Sequence, residues 1–235
     1  MQLPWTWKRG QPNEPHIFWD SDVGKWIEAV GYSLATHPDA KLERLVDDVA
    51  DAMAACQGKD GYLNSHFLLV EPKKRWTNLR DWHELYCAGH LMEGAVAYFQ
   101  ATGKRKLLDV LCRYADHICR IFGRGKAQKR GYCGHPEIEL ALVKLYRATG
   151  EKRYLDLARY FVDERGREAN VFSLEARAAG ERNEERLRYL LVERQAHKPV
   201  REQADAEGHA VRALYLYSGM ADVAAEIGDA SLVAA

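Results

Sequence analysis

The stretch RWTNLRDWHELYCAGHLMEGAVAYFQATG, residues 75–103, reads as a polar loop feeding a long helix. Leu85, Leu91, Met92, Ala95, Val96 and Phe99 recur at three- and four-residue steps, which predicts one apolar stripe of a 3.6-residue period facing a core. Asp81, His83, Glu84 and His90 fall at the beginning of the same helix. There, free N–H groups and the positive end of the dipole gather polar side chains and ligands.

Twice more an apolar helix opens on Gly-His: Gly134-His135 before PEIELALVKLYRATG and Gly208-His209 before AVRALYLYSGMADVAAEIG. The first two His-headed helices end in Ala-Thr-Gly, at Gly103 and Gly150, and the third ends at Gly228, where glycine takes up a left-handed C-cap. Each is followed by a second helical start: KRKLLDV at Lys104, EKRYLDL at Glu151 and DASLVAA at Asp229. The repeating unit is a helical hairpin, and stacking such units in a ring places all the inner-helix starts at one mouth.

A chain of 235 residues can bury a sizeable core, and no Pro/Gly/Ser-rich linker divides it, so a single helical domain over 1–235 is expected. Formal net charge is zero, which removes the electrostatic argument for nucleic acid or an anionic membrane surface. No apolar run reaches the ~20 residues of a membrane span, and MQLPWTWKRG lacks the apolar core of a signal peptide, so a cytoplasmic location is expected. The five cysteines, Cys56, Cys87, Cys112, Cys119 and Cys133, contain no Cys-x-x-Cys and are read as reduced, mostly buried thiols. Cys112 and Cys119, one heptad apart, are assigned to a core face.

In chain order, Trp5, Trp7, Pro12 and Pro15 suggest irregular packing over an entrance or an end of the ring. A first helix is expected from Ser21, with Val23, Trp26, Ile27, Val30 and Leu34 on its apolar face. A second, Ala40 to Gln57, turns Leu42, Leu45, Val46, Val49 and Met53 inward. The loop from Gly58 to Asp81 is too long for a simple connection and is rich in aromatics. Leu107 to Phe122 returns as an outer helix. The loop GRGKAQKRGYCG, Gly123 to Gly134, fits neither a P-loop nor a dinucleotide fingerprint. From Arg165 to Gln195 the chain is highly charged and reads as a solvated helix or lid.

A lone histidine near a helix start is commonly a cap or a satisfied hydrogen-bonding group. Three at equivalent ends of repeated helices leave a shared site and three separate caps equally open, with Tyr132 or Trp76 expected nearby in the first case. Of Glu137 and Glu139, one is expected to face the mouth; a salt bridge to Arg80 or Arg130 is equally open.

The segments DSDVGKWIEAVGYSL (from Asp20), GKDGYLNSHF (from Gly58), RWTNLRDWHELYCAGH (from Arg75), GYCGHPEIELALVKLYRATGEKRYLDLARYFVDERG (from Gly131) and AHKPVREQADAEGHAVRALYLYSGMADVA (from Ala196) closely resemble glycoside hydrolase family 127, the beta-L-arabinofuranosidases. The resemblance implies an (α/α)6-barrel helical toroid and exo-hydrolysis of terminal beta-L-arabinofuranosides with retention. It implies a zinc-bound cysteine nucleophile, held with a glutamate and three cysteines, and a glutamate acid/base. It assigns His83, His135 and His209 to the sugar hydroxyls, with His90 as a fourth substrate-binding candidate. The family's Glu-x-Cys and Cys-Cys motifs lie downstream of the helix ending at Gly228, and none of the five cysteines stands in such a motif.

The expectation is therefore the N-terminal part of a barrel, about eight of twelve helices, with no catalytic residue and no metal site in this chain, zinc belonging to full-length relatives. A carbohydrate ligand is expected, and self-association through the open flanks of the first helix (Val23, Trp26, Ile27, Val30) and the last (Val211, Leu214, Tyr215, Val223). The alternative is a catalytically inactive carbohydrate-binding or scaffold protein. An epimerase or unsaturated-uronide hydrolase on the same architecture matches these blocks less well.

Overall fold

Short polar side chains set where the helices begin. In the computed structural model, which describes residues 3–235, Asp39 accepts from the N–H groups of Lys41 and Leu42 at 2.7 and 3.2 Å and opens α2. Asn64, Asn170, Asn183 and Asp229 cap α3, α8, α9 and α11 in the same way. The α-helices are α1 (Trp19–Leu34), α2 (Ala40–Cys56), α3 (Ser65–Leu69), α4 (Glu84–Thr102), α5 (Lys106–Ile121), α6 (Ile138–Thr149), α7 (Lys152–Glu164), α8 (Val171–Ala178), α9 (Glu184–Glu193), α10 (Ala210–Ile227) and α11 (Ala230–Ala234). Among the described residues there is no strand beyond one isolated bridge, Phe122 to Lys129. Eight helices have ten residues or more. The five-residue α3, within the long loop after Gln57, is too short to show a period. Gly103, Gly150 and Gly228 end the three His-headed helices at φ 72°, 76° and 69°, the left-handed conformation their positions required. None of the helices described is long and apolar enough to cross a membrane.

The chain forms two compact units, Met1–Thr77 with Tyr86–Arg120, and Asn78–Leu85 with Ile121–Ala235. In the first, α1 and α4 meet backbone to backbone: a Cβ at Gly24 would lie 2.6 Å from the His90 carbonyl carbon, and one at Gly94 would lie 2.7 Å from the Gly24 oxygen. Such close approach explains why α4 has no single apolar stripe. Every residue from Cys87 to Tyr98 is buried, the signature of a helix surrounded by protein. Trp5 and Trp7 are buried, while Trp26 and Leu45, expected inside, stay 37% and 50% exposed. Ile27 and Val30 are buried, so the expected open flank of α1 shrinks to Val23 and Trp26. Trp76 is also buried, edge-on to Tyr62 with centroids 5.3 Å apart, and its indole N–H donates to His117 Nε2 at 3.3 Å. Cys112 and Cys119 are half-buried with Cys56, so the expectation of mostly buried thiols holds only for Cys87 and Cys133.

In the second unit α6 and α7 form a hairpin, and α10 packs against both. Gly219 permits that packing, since a Cβ there would come 2.8 Å from the Glu139 Cβ. Val223 is buried against this core, whereas Val211 and Leu214 remain exposed. The basic loop after α5 closes on itself: Lys129 N–H donates to Ile121 O at 2.7 Å, and Gln128 fills its interior, accepting from Gly125 N–H and donating to Phe122 O. The amides of Gly123, Gly125, Gln128 and Lys129 are engaged within the loop or by the end of α5.

Candidate functional site

The segment ahead of α4 is pinned from two sides. Glu175 on α8 accepts from the N–H groups of Leu79 and Arg80 at 2.9 and 3.0 Å, and Leu79 O accepts from Gly134 N–H at 2.9 Å. Gly134 cannot be larger, because a Cβ would stand 1.9 Å from the Arg80 oxygen. This contact sets the loop carrying His83 against the one carrying His135. His83 itself sits at φ 51°, a left-handed conformation that costs a non-glycine residue about 1 kcal/mol and that the surrounding hydrogen bonds hold.

The trio predicted from the repeat comes together. The His83 and His135 ring centroids are 6.0 Å apart, and those of His135 and His209 are 6.3 Å apart. His83 Nδ1 lies 2.6 Å from Asp81 O and His135 Nδ1 lies 2.9 Å from Pro136 O. A carbonyl oxygen brings no proton, so both rings carry theirs on Nδ1, and in the neutral form Nε2 is the acceptor. His209 caps α10: its Nδ1 accepts, at 3.4 Å, from Arg212 N–H, which puts the proton of its neutral ring on Nε2. Helix capping thus accounts for one of the three histidines. Two ring acceptors and one ring donor suit adjacent hydroxyls, each of which both gives and takes a hydrogen bond. Burial pushes His83 and His135 down to about 4, so both are neutral at physiological pH, and the Arg212 charge near both acts in the same direction.

The aromatic neighbour differs from the expected ones. Tyr132 is fully buried, packed on Phe172 and under the Arg165 guanidinium, and Trp76 is interior to the first unit. Neither ring can meet a sugar face. Tyr215 is beside the trio, its ring centroid 5.5 Å from that of His135. The signal was present in the register of α10: Arg212 and Tyr215 follow the cap His209 at three-residue steps, on one face. The fourth candidate, His90, belongs to the first unit, buried on α4 with its ring edge-on to Tyr86 at 4.5 Å and Nδ1 3.7 Å from Glu93 one turn on.

The acidic and basic residues pair otherwise than expected. Glu139 accepts from Arg165 at 3.2 Å, both side chains fully buried, and from Glu137 N–H at 3.0 Å. Arg80 pairs with Asp81, and Arg130 with Glu164. No cysteine belongs to a group of three side chains close enough to ligate one metal among the described residues.

Imidazoles of His83, His135 and His209, with the Tyr215 ring beside them, thus gather at one place in an all-helical chain. The family model described as beta-L-arabinofuranosidase, GH127 catalytic domain, matches residues 4–235, and the chain belongs to that family. The non-reducing end beta-L-arabinofuranosidase of Bifidobacterium longum subsp. longum is 41% identical over 223 residues, 92% of this chain and 34% of the relative. Among solved structures, the GH127 beta-L-arabinofuranosidase of Geobacillus stearothermophilus T6 superposes with a TM-score of 0.87 at 55% identity over 92% of this chain and 34% of that one. A further GH127 beta-arabinofuranosidase gives 0.82 at 43% identity over 98% and 34%. The GH127 structures have the α/α-barrel fold, and this chain has the helical architecture of that class. It spans about a third of the length of the relatives it matches.

Proposed function

We propose that the chain is the sugar-holding portion of a glycoside hydrolase acting on terminal beta-L-arabinofuranosyl residues, with His83, His135 and His209 on the sugar hydroxyls and Tyr215 against the ring. The observation that carries this is the row of three imidazoles at 6.0 and 6.3 Å, two of them held neutral by burial. Hydrolysis needs a proton donor and a nucleophile as well. The chain has neither a Glu-x-Cys nor a Cys-Cys pair, so these 235 residues are a binder of the glycoside and not its hydrolase.

Three measurements on the purified chain test this. An aryl beta-L-arabinofuranoside should release no arabinose, while methyl beta-L-arabinofuranoside should shift the ring signals of His83, His135 and His209. Zinc should bind no better than to a surface histidine pair. Turnover abolished by replacing Cys87 or Cys133 would show that the nucleophile lies within this chain. Absence of any ring response to the glycoside would remove the sugar site. Self-association belongs to the same proposal, supported by exposed Val211, Leu214 and Val233; a single monomeric species in sedimentation velocity would count against it.

A further inference from the structure

The charged segment between α7 and α10 ends on Glu193-Arg194-Gln195, which grips both the loop before His83 and the start of the His209 helix. Arg194 Nη2 donates to Asp81 Oδ1 at 3.2 Å, and its Nη1 donates to Glu193 Oε2 at 2.5 Å. Glu193 Oε1 in turn lies 3.0 Å from Arg212 Nη1. The Asp81 carbonyl is the one that fixes the His83 ring.

On the other side His209 N–H donates to Glu193 O at 3.2 Å, and the Gln195 amide donates to Glu207 O at 2.8 Å and His209 O at 3.3 Å. Gln195 stands at φ 50°, a left-handed conformation uncommon for its type. Gly208 passes so close that a Cβ would lie 2.1 Å from Val192 O. Both arginine side chains are only 12% exposed, which separates this network from the solvated ion pairs that contribute little.

We infer that Glu193-Arg194-Gln195 is a positioning clasp for the imidazole trio: Arg194 sets the His83 loop through Asp81, and Gln195 sets the start of the His209 helix. This rests on the trio being the sugar site. The guanidinium suits the place because its rigid planar fork reaches Asp81 and Glu193 from two separate nitrogens, whereas a lysine would have to bring both carboxylates to a single, more compact ammonium. The segment's charge therefore serves the site as well as solubility.

The test uses the 235-residue chain with Arg194→Met, Arg194→Lys and Gln195→Gly, each followed by imidazole Cε1–H titration, ring-to-ring cross-peaks, titration with methyl beta-L-arabinofuranoside and urea unfolding. Glycine at 195 keeps the left-handed backbone and removes only the side-chain hydrogen bonds. In folded Arg194→Met, His83 should titrate above its wild-type value, since it loses a neighbouring positive charge and its loop, no longer tied through Asp81, admits water. The His83–His135 cross-peak should weaken, and glycoside affinity should fall about tenfold, the scale of one lost charge-assisted contact. Arg194→Lys should fall between. In Gln195→Gly the His135–His209 cross-peak should weaken while His83 is unmoved, and His117 should be unchanged throughout.

A folded Arg194→Met, or Arg194→Lys should the first not fold, with wild-type His83 titration and cross-peak would overturn the clasp. Wild-type chain that ignores the glycoside while His83 responds as expected would uphold the clasp and discard the sugar.

Discussion

Arg165→Met should cost about 3–5 kcal/mol of stability, the range for leaving one member of a buried ion pair uncompensated. That is a large share of the roughly 5–15 kcal/mol by which a domain is stable, so the urea midpoint of the second unit should fall markedly. Arg165 and Glu139 are both fully buried, and the arginine also donates to Cys133 O at 2.8 Å and Arg194 O at 3.0 Å. Methionine would strand a carboxylate and two carbonyls together. Lysine would recover only part, because its single ammonium lacks the two separate nitrogens from which the planar fork reaches Arg194 O on one side and Cys133 O and Glu139 on the other. Arg165→Met/Glu139→Met should recover the part due to the stranded charge but not all of the loss, because Cys133 O, Arg194 O and the Glu137 N–H still lose their partners. Urea unfolding followed in the second unit would check this. A single-variant loss under about 1 kcal/mol would mean that Glu139 finds other compensation.

The same pair marks a boundary of what the sequence could reveal. Glu139 was identifiable as unusual, a carboxylate in an apolar helix, but its partner lies 26 residues on and begins a charged run indistinguishable from a solvated face. That three histidines come together was legible because each stands between glycine or a polar loop and an apolar period, a local pattern repeated three times. Tyr215 was hidden among the other tyrosines and leucines of α10. The clasp was hidden for a different reason: Glu193 and Arg194 are ordinary surface types, and only the left-handed turns at Gln195 and His83 bring them to the site. Neither residue announces such a turn as glycine would. Core assignments failed where helix periodicity met an uncovered edge, at Trp26 and Leu45; in α4 the assigned Leu85, Leu91, Met92, Ala95 and Val96 are buried, together with the rest of Cys87 to Tyr98.

Acid should weaken the second unit before it weakens the helices as such. His83 and His135 are held at about 4 in the folded chain against about 6.5 in the unfolded one, so between those values the unfolded state binds more protons. The stability gained from neutral imidazoles is complete above about 6.5 and declines as pH falls toward 4. Linkage sets an upper bound of about 3 kcal/mol per ring, and solvent reaching each ring reduces the pair to about 2–4 kcal/mol. His197, also depressed by burial, adds to the loss, while Glu175, raised by burial, opposes it. The first unit carries an opposite contribution: burial raises Asp20 to about 6 despite its hydrogen bonds from Ser65, so protonation between about 6 and 4 relieves a buried charge there. His117, depressed by burial, partly offsets that gain. Amide exchange at pH 7 and pH 4.5 should therefore show protection falling in α6, α7 and α10 more than in α1 and α4. Protonation would also convert the Nε2 acceptors of His83 and His135 into donors, so glycoside affinity should fall with the same midpoints. Ring titrations near 6.5, or equal loss of protection in both units, would refute the burial of these two imidazoles as the source of acid sensitivity.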